Sequence, residues 1–72
     1  MIKRTYSNRR VNIIIDMILA KIEELDMNIE FDNEYTNHFA LIIDGDRYEF
    51  TTYSDVYKTL KLMCLIKRKI EN

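Results

Sequence analysis

The spacing of apolar residues changes twice along this 72-residue chain, and that change constrains the fold more than any other feature. In the first third, apolar residues recur three and four positions apart, which places them on one face of a helix. The helical face carries Val11, Ile14, Ile15, Ile18, Ile22 and Leu25, and Ile13, Met17 and Leu19 widen it. The spacing predicts a helix that begins at a cap formed by Ser7 or Asn8 and ends near Leu25.

From residue 29 to residue 50 the apolar residues alternate with polar ones, which is the period of a β-strand. The alternation predicts three short strands, and one face of their sheet carries Ile29, Phe31, Phe39, Leu41, Ile43, Tyr48 and Phe50. The dipeptide Asp44-Gly45 predicts a two-residue hairpin turn between the second and third strands, because glycine tolerates positive φ. This turn would place Leu41 opposite Tyr48 and Phe39 opposite Phe50. A three-residue loop at 35–37, ending in a left-handed Asn37, is expected between the first two strands.

Residues 53–70 return to the helical period, after a capping-box-like segment in which Thr52 or Ser54 is the cap. Four apolar residues of this second helix form a stripe that can face the sheet, namely Val56, Leu60, Met63 and Ile70. Leu62 and Leu65 point in nearly the opposite direction. The chain is therefore expected to have an α+β fold, with the order helix, three-stranded antiparallel meander, helix, and with both helices on one face of the sheet.

The length favours a single domain over residues 1–72, in which residues 1–6 are a candidate flexible basic arm. Cys64 is the only cysteine, so an intrachain disulfide and a cysteine-rich zinc site are excluded. The sequence has no signal-peptide pattern, and no apolar run approaches the roughly 20 residues that cross a bilayer. We expect a protein of the reducing cytoplasm without a membrane partner.

No motif of the sequence indicates an active site. His38 and Cys64 are each the only residue of their kind, and the predicted elements place them on different sides of the sheet, so they are not expected to form a nucleophile–base pair. Lys61 and Arg68 are helical neighbours of Cys64 and could favour its thiolate, but a small core residue is the favoured interpretation. The acids around Gly45 do not have the spacing of a calcium loop. We therefore expect a protein that is not an enzyme, with no cofactor and no catalytic or metal-binding residues.

Charge is distributed unevenly along the chain. Residues 1–15 contain four basic residues and no acid, residues 16–49 contain ten acids and two bases, and residues 50–72 contain five bases and two acids. In the second predicted helix, the basic residues border the outward leucines. The candidate interface consists of Leu62, Leu65, Lys58, Lys61, Arg68 and Lys69.

Two functions remain open from the sequence. The first is a small non-catalytic binding or regulatory module that acts through protein–protein contacts as a homodimer, and that also binds another, unknown protein. The second is a small nucleic-acid-binding protein that uses the basic N-terminus and the C-terminal helix, since a basic stripe is typical of phosphate contacts. In size, in its Ile-, Asn- and Lys-rich composition and in lacking catalytic motifs, the chain resembles small phage, prophage or mobile-element proteins.

Overall fold

The computed structural model describes residues 9–35 and 37–71. The helices and strands are α1 (Arg9–Leu25), β1 (Ile29–Tyr35), β2 (His38–Ile43), β3 (Asp46–Phe50) and α2 (Tyr53–Glu71). The three strands form an open antiparallel sheet in the order β1-β2-β3. This architecture confirms the predicted α+β fold. The predicted cap at Ser7 or Asn8 and the predicted basic arm lie outside the described residues.

The β2–β3 hairpin has the turn and the register that the sequence predicts. Asp44 and Gly45 both have positive φ, 51° and 89°, as a type I′ turn requires. Leu41 lies opposite Tyr48, and Phe39 opposite Phe50. The Asp44 N–H donates to the Asn28 carbonyl at 3.0 Å, which fixes the turn to the α1–β1 connection.

The β1–β2 connection differs from the prediction. Tyr35 belongs to β1 and pairs with His38, so two residues rather than three join the strands; Asn37 has the expected left-handed conformation, with φ of 57°. The register shifts between Asp32 and Tyr35, because β1 has one residue more than β2 over this interval. Within this bulge Asn33 is buried, and its Nδ2 donates to the Tyr53 hydroxyl at 3.2 Å.

The two helices are parallel and pack side by side. The Cys64 thiol contacts the Lys21 carbonyl, and Lys67 Nζ donates to the carbonyl of Leu25, so the contacting positions advance together along both helices. Helix α2 begins at the predicted Thr52 cap, whose hydroxyl accepts a hydrogen bond from the Asp55 N–H at 3.1 Å. The core between helices and sheet is formed by Ile15, Ile18, Leu25, Ile29, Phe31, Phe39, Leu41, Val56, Leu60 and Cys64.

Tyr48 of the sheet and Ile70 of α2, which were both assigned to buried faces, are exposed. Tyr48 shares the helix-facing side of the sheet with Leu41, yet it is exposed because it lies on the edge strand β3, which α2 covers only in part. Helix α1 ends at Leu25, whose carbonyl binds Lys67 of α2. Helix α2 therefore extends beyond the end of α1, and Ile70, in this extension, is exposed. Phe50 is only partly buried.

Candidate interaction surface

The outward side of α2 carries apolar residues that the fold does not cover. Leu62, Leu65 and Ile66 are 58%, 47% and 50% exposed, whereas Val56 and Leu60 are fully buried. Lys58, Lys61 and Lys69 lie among these residues at spacings of three and four, so that all six share one side of the helix. We call these six residues the α2 outer stripe. The structure thus places five of the six candidate interface residues together.

Arg68, the sixth candidate, lies at the border between the two helices. Its guanidinium donates to Glu24 of α1, which also accepts a hydrogen bond from Lys21 at 3.0 Å. The hydrogen bonds from Lys21 and Arg68 lower the pKa of Glu24 to about 2. Arg68 therefore joins α1 to α2 and is not a free cation of the outer stripe.

The three lysines of the α2 outer stripe are exposed, and within residues 9–35 and 37–71 none of them lies within ion-pair distance of a carboxylate. An exposed apolar patch bordered by these lysines can contact an acidic surface without breaking an ion pair of its own lysines.

Helix α1 has an exposed stripe of its own, with the opposite charge. Ile13 and Met17, which the sequence pattern assigned to the buried face, are 50% and 42% exposed. Asp16, Ala20 and Glu23 are exposed at positions three or four residues from them. We call these five residues the α1 outer stripe. Their burial was wrongly expected because the apolar stripe of α1 is wider than the surface that α2 and the sheet cover.

The lone cysteine and the lone histidine are separated, as predicted. Cys64 is buried between the helices, with its Sγ 3.7 Å from Glu24 Oε2. Burial and the Glu24 carboxylate raise the pKa of the thiol and outweigh the opposite effects of Lys21 and Arg68, so the hypothesis of a favoured thiolate is wrong. His38 lies on the other side of the sheet, where its Nε2 is 2.8 Å from Glu49 Oε2.

The sheet face opposite the helices carries an ion-pair network that sequence reasoning missed. Arg47 contacts Asp32 at 3.2 Å and Glu49 at 2.9 Å. The hydrogen bond from the Glu34 N–H and then that from Arg47 lower the pKa of Asp32, and the hydrogen bond from Arg47 lowers the pKa of Glu49. The strand register could have predicted this network. Asp32 and Glu49 both lie opposite Ala40, one on each side of it, so the two acids are on the same face of the sheet. The network covers Ala40, which is fully buried, and it leaves Arg47 neutralised by two acids.

An open groove of about 480 Å³ lies between the strand ends and the first turns of α2. His38, Glu49, Asp55 and Lys58 supply its ionisable groups. His38 and Glu49 bind each other there, and both side chains are about half exposed. Among the described residues, no three histidine, cysteine or acidic side chains are grouped closely enough to hold a metal ion.

Comparison with protein-family models, with curated proteins and with solved structures finds no match to this chain. Within the described ranges, neither helix is long and apolar enough to cross a membrane.

Proposed function

We propose that this protein is a small non-catalytic binding or regulatory module of the cytoplasm that acts through protein–protein contacts as a homodimer. The exposure of Leu62 and Leu65 on the α2 outer stripe is the observation that supports it. Covering a leucine side chain fully contributes about 1.5–3 kcal/mol relative to leaving it in water. A two-fold symmetric interface uses the same patch twice, so both leucines contribute from each subunit.

The non-catalytic part of the proposal is supported by the state of the reactive groups. The Cys64 thiol is buried and its pKa is raised, which is the opposite of what a nucleophile needs. The His38 imidazole is bound to an exposed carboxylate in an open groove rather than held in a closed pocket.

The test is the double substitution Leu62→Glu and Leu65→Glu, with the molar mass measured by size-exclusion chromatography and light scattering at about 50 µM. We expect a dimeric wild type and a monomeric variant with an unchanged circular dichroism spectrum. The matched control is Met27→Glu with Tyr35→Glu, which alters two exposed apolar residues outside the helices and should leave the dimer intact. A monomeric wild type, or a double variant that remains dimeric, would show that this surface does not mediate self-association.

Nucleic-acid binding is the second candidate, and the exposed Lys58, Lys61 and Lys69 favour it. The ten acids of residues 16–49 oppose it, and Arg47 on the sheet is already neutralised. Titration of random-sequence DNA and RNA at several salt concentrations separates the two functions, because each phosphate contact makes affinity fall with salt. We expect no salt-dependent binding. The origin in a phage or mobile element stays a prediction, since the fold alone does not bear on it.

A further inference from the structure

The outer stripes of the two helices both present exposed apolar side chains, and they carry opposite charges. The α1 outer stripe presents Ile13 and Met17 with the acids Asp16 and Glu23. The α2 outer stripe presents Leu62, Leu65 and Ile66 with three lysines. Each stripe lies opposite its own helix's buried residues, so both stripes lie mainly on the side of the molecule away from the sheet; Lys58, at the start of the α2 stripe, also lines the groove beside His38 and Glu49.

The charges also lie at matching levels along the helix axes. Hydrogen bonds between the parallel helices join positions that are 40 to 44 residues apart. Adding this offset to Asp16 gives positions 56–60, which include Lys58 and end one residue before Lys61. The same offset takes Glu23 to positions 63–67, which end two residues before Lys69.

The charges are also opposite at the start of the helices, but there the basic residue is on α1 and the acid is on α2. Arg9 is exposed and corresponds in level to positions 49–53, which end two residues before the exposed Asp55. Along α1 a basic residue therefore precedes two acids, and along α2 an acid precedes three lysines. Met17 and Ala20 correspond in level to positions 57–64, which include Leu62.

Only one of the two symmetric ways of stacking two helix layers uses this complementarity. A two-fold axis parallel to the helices preserves the level of every residue and places α1 of each subunit on α2 of the other. A two-fold axis perpendicular to the helices places α2 on α2 in antiparallel fashion, so that centring on Leu62 and Leu65 brings Lys58 opposite Lys69. That arrangement sets cations against cations, which disfavours association.

We propose that the dimer forms by face-to-face stacking of the two helix layers about a two-fold axis parallel to the helices. The α1 outer stripe of each subunit contacts the α2 outer stripe of its partner, with apolar residues in the centre and ion pairs at the rim. This inference rests on the proposed function and identifies the second copy of the chain as the occupant of both stripes.

The experiment uses two charge-reversed full-length chains, Asp16→Lys with Glu23→Lys, and Lys58→Glu with Lys61→Glu and Lys69→Glu. Each variant alone sets like charges against each other at both contacts, so its dissociation constant should rise about tenfold or more. In an equimolar mixture, the reversed α2 of one chain meets the reversed α1 of the other, and each unchanged helix meets an unchanged one. The mixture should therefore form a heterodimer with an affinity within about threefold of the wild type.

The matched control is Glu30→Lys with Glu34→Lys, which makes the same change of charge as Asp16→Lys with Glu23→Lys on exposed residues of β1 and should leave the dimer unaffected. Dissociation constants come from sedimentation velocity, and circular dichroism checks that each variant is folded. If Asp16→Lys with Glu23→Lys leaves the dissociation constant of the dimer unchanged, or if mixing the two variants fails to restore it, the proposed helix pairing is wrong. The proposal of a homodimer would not be affected by either result. A wild type that is monomeric would overturn both.

Discussion

Phe39 and Phe50 lie opposite each other on the helix-facing side of the sheet, but they differ in burial. Phe39 is 5% exposed, and its ring stacks on Tyr53 with the centroids 4.1 Å apart. Phe50 is only partly buried against the core. The two phenylalanines share residue type, face and register, so substituting each with alanine compares a buried, stacked ring with a partly buried one.

We expect Phe39→Ala to lower the free energy of unfolding by about 3–5 kcal/mol, the usual cost of removing a buried phenylalanine. The stacking contact with Tyr53 accounts for about 0.5–1.5 kcal/mol of that loss. Phe50→Ala should cost about 1.5–2.5 kcal/mol, because less apolar area is returned to water. A 72-residue chain has a typical unfolding free energy of about 4–11 kcal/mol, so Phe39→Ala removes a large share of the total.

The assay is urea unfolding followed by circular dichroism at a fixed protein concentration, since a dimer makes apparent stability depend on concentration. Phe39→Leu is the conservative control and should cost less than about 2 kcal/mol. Equal losses for Phe39→Ala and Phe50→Ala would refute the difference in burial between the two strands. A loss below about 1 kcal/mol for Phe39→Ala would remove that residue from the core.

Two further predictions concern the helix contact and the hairpin. The lowered pKa of Glu24, about 2 against an ordinary 4.5, means that its ion pairs stabilise the fold above pH 4.5 and lose this effect as the pH falls toward 2. Glu24→Gln should therefore flatten the decline in melting temperature across that interval, whereas the control Glu30→Gln should decline as the wild type does. A Glu24→Gln variant that keeps the wild-type profile would contradict this explanation. Gly45→Ala should lower the free energy of unfolding by about 1–2 kcal/mol in urea, because φ is 89°, although the added Cβ meets nothing within 4 Å. Gly45→Asn should lower it by less, because asparagine adopts positive φ more readily. Equal losses of unfolding free energy for the two variants would contradict this backbone explanation.

The fold could be predicted because its local signals agree with each other. The change of period identified all five elements, and the Asp44-Gly45 turn set the same register as the apolar alternation. The bulge in β1 could not be predicted, because nothing in the alternation of Asp32, Asn33 and Glu34 marks an additional residue. The burial of Asn33 follows from that bulge and was missed with it.

The candidate surface could be predicted only in part, for a geometric reason. Helical spacing gives the direction in which Leu62 and Leu65 point, so their exposure follows from the sequence once Val56 and Leu60 face the sheet. It does not give the level at which two helices meet, and that level decides that Arg68 binds Glu24. Helical spacing also does not give the width of the surface that α2 and the sheet cover, which is why Ile13 and Met17 resembled core residues.

A three-stranded sheet can cover only one side of a layer of two helices, because a sheet packs against the single face that each helix turns toward it. Every apolar residue on the outward side is then exposed unless another molecule covers it. Single exposed apolar residues are common and need no explanation. Here the exposed apolar residues instead form a stripe on each of two adjacent helices, with acids beside one stripe and lysines beside the other. A general need for solubility would be met by charge of either sign on either helix, whereas stacking about a two-fold axis parallel to the helices, as proposed here, uses opposite charges at matching levels.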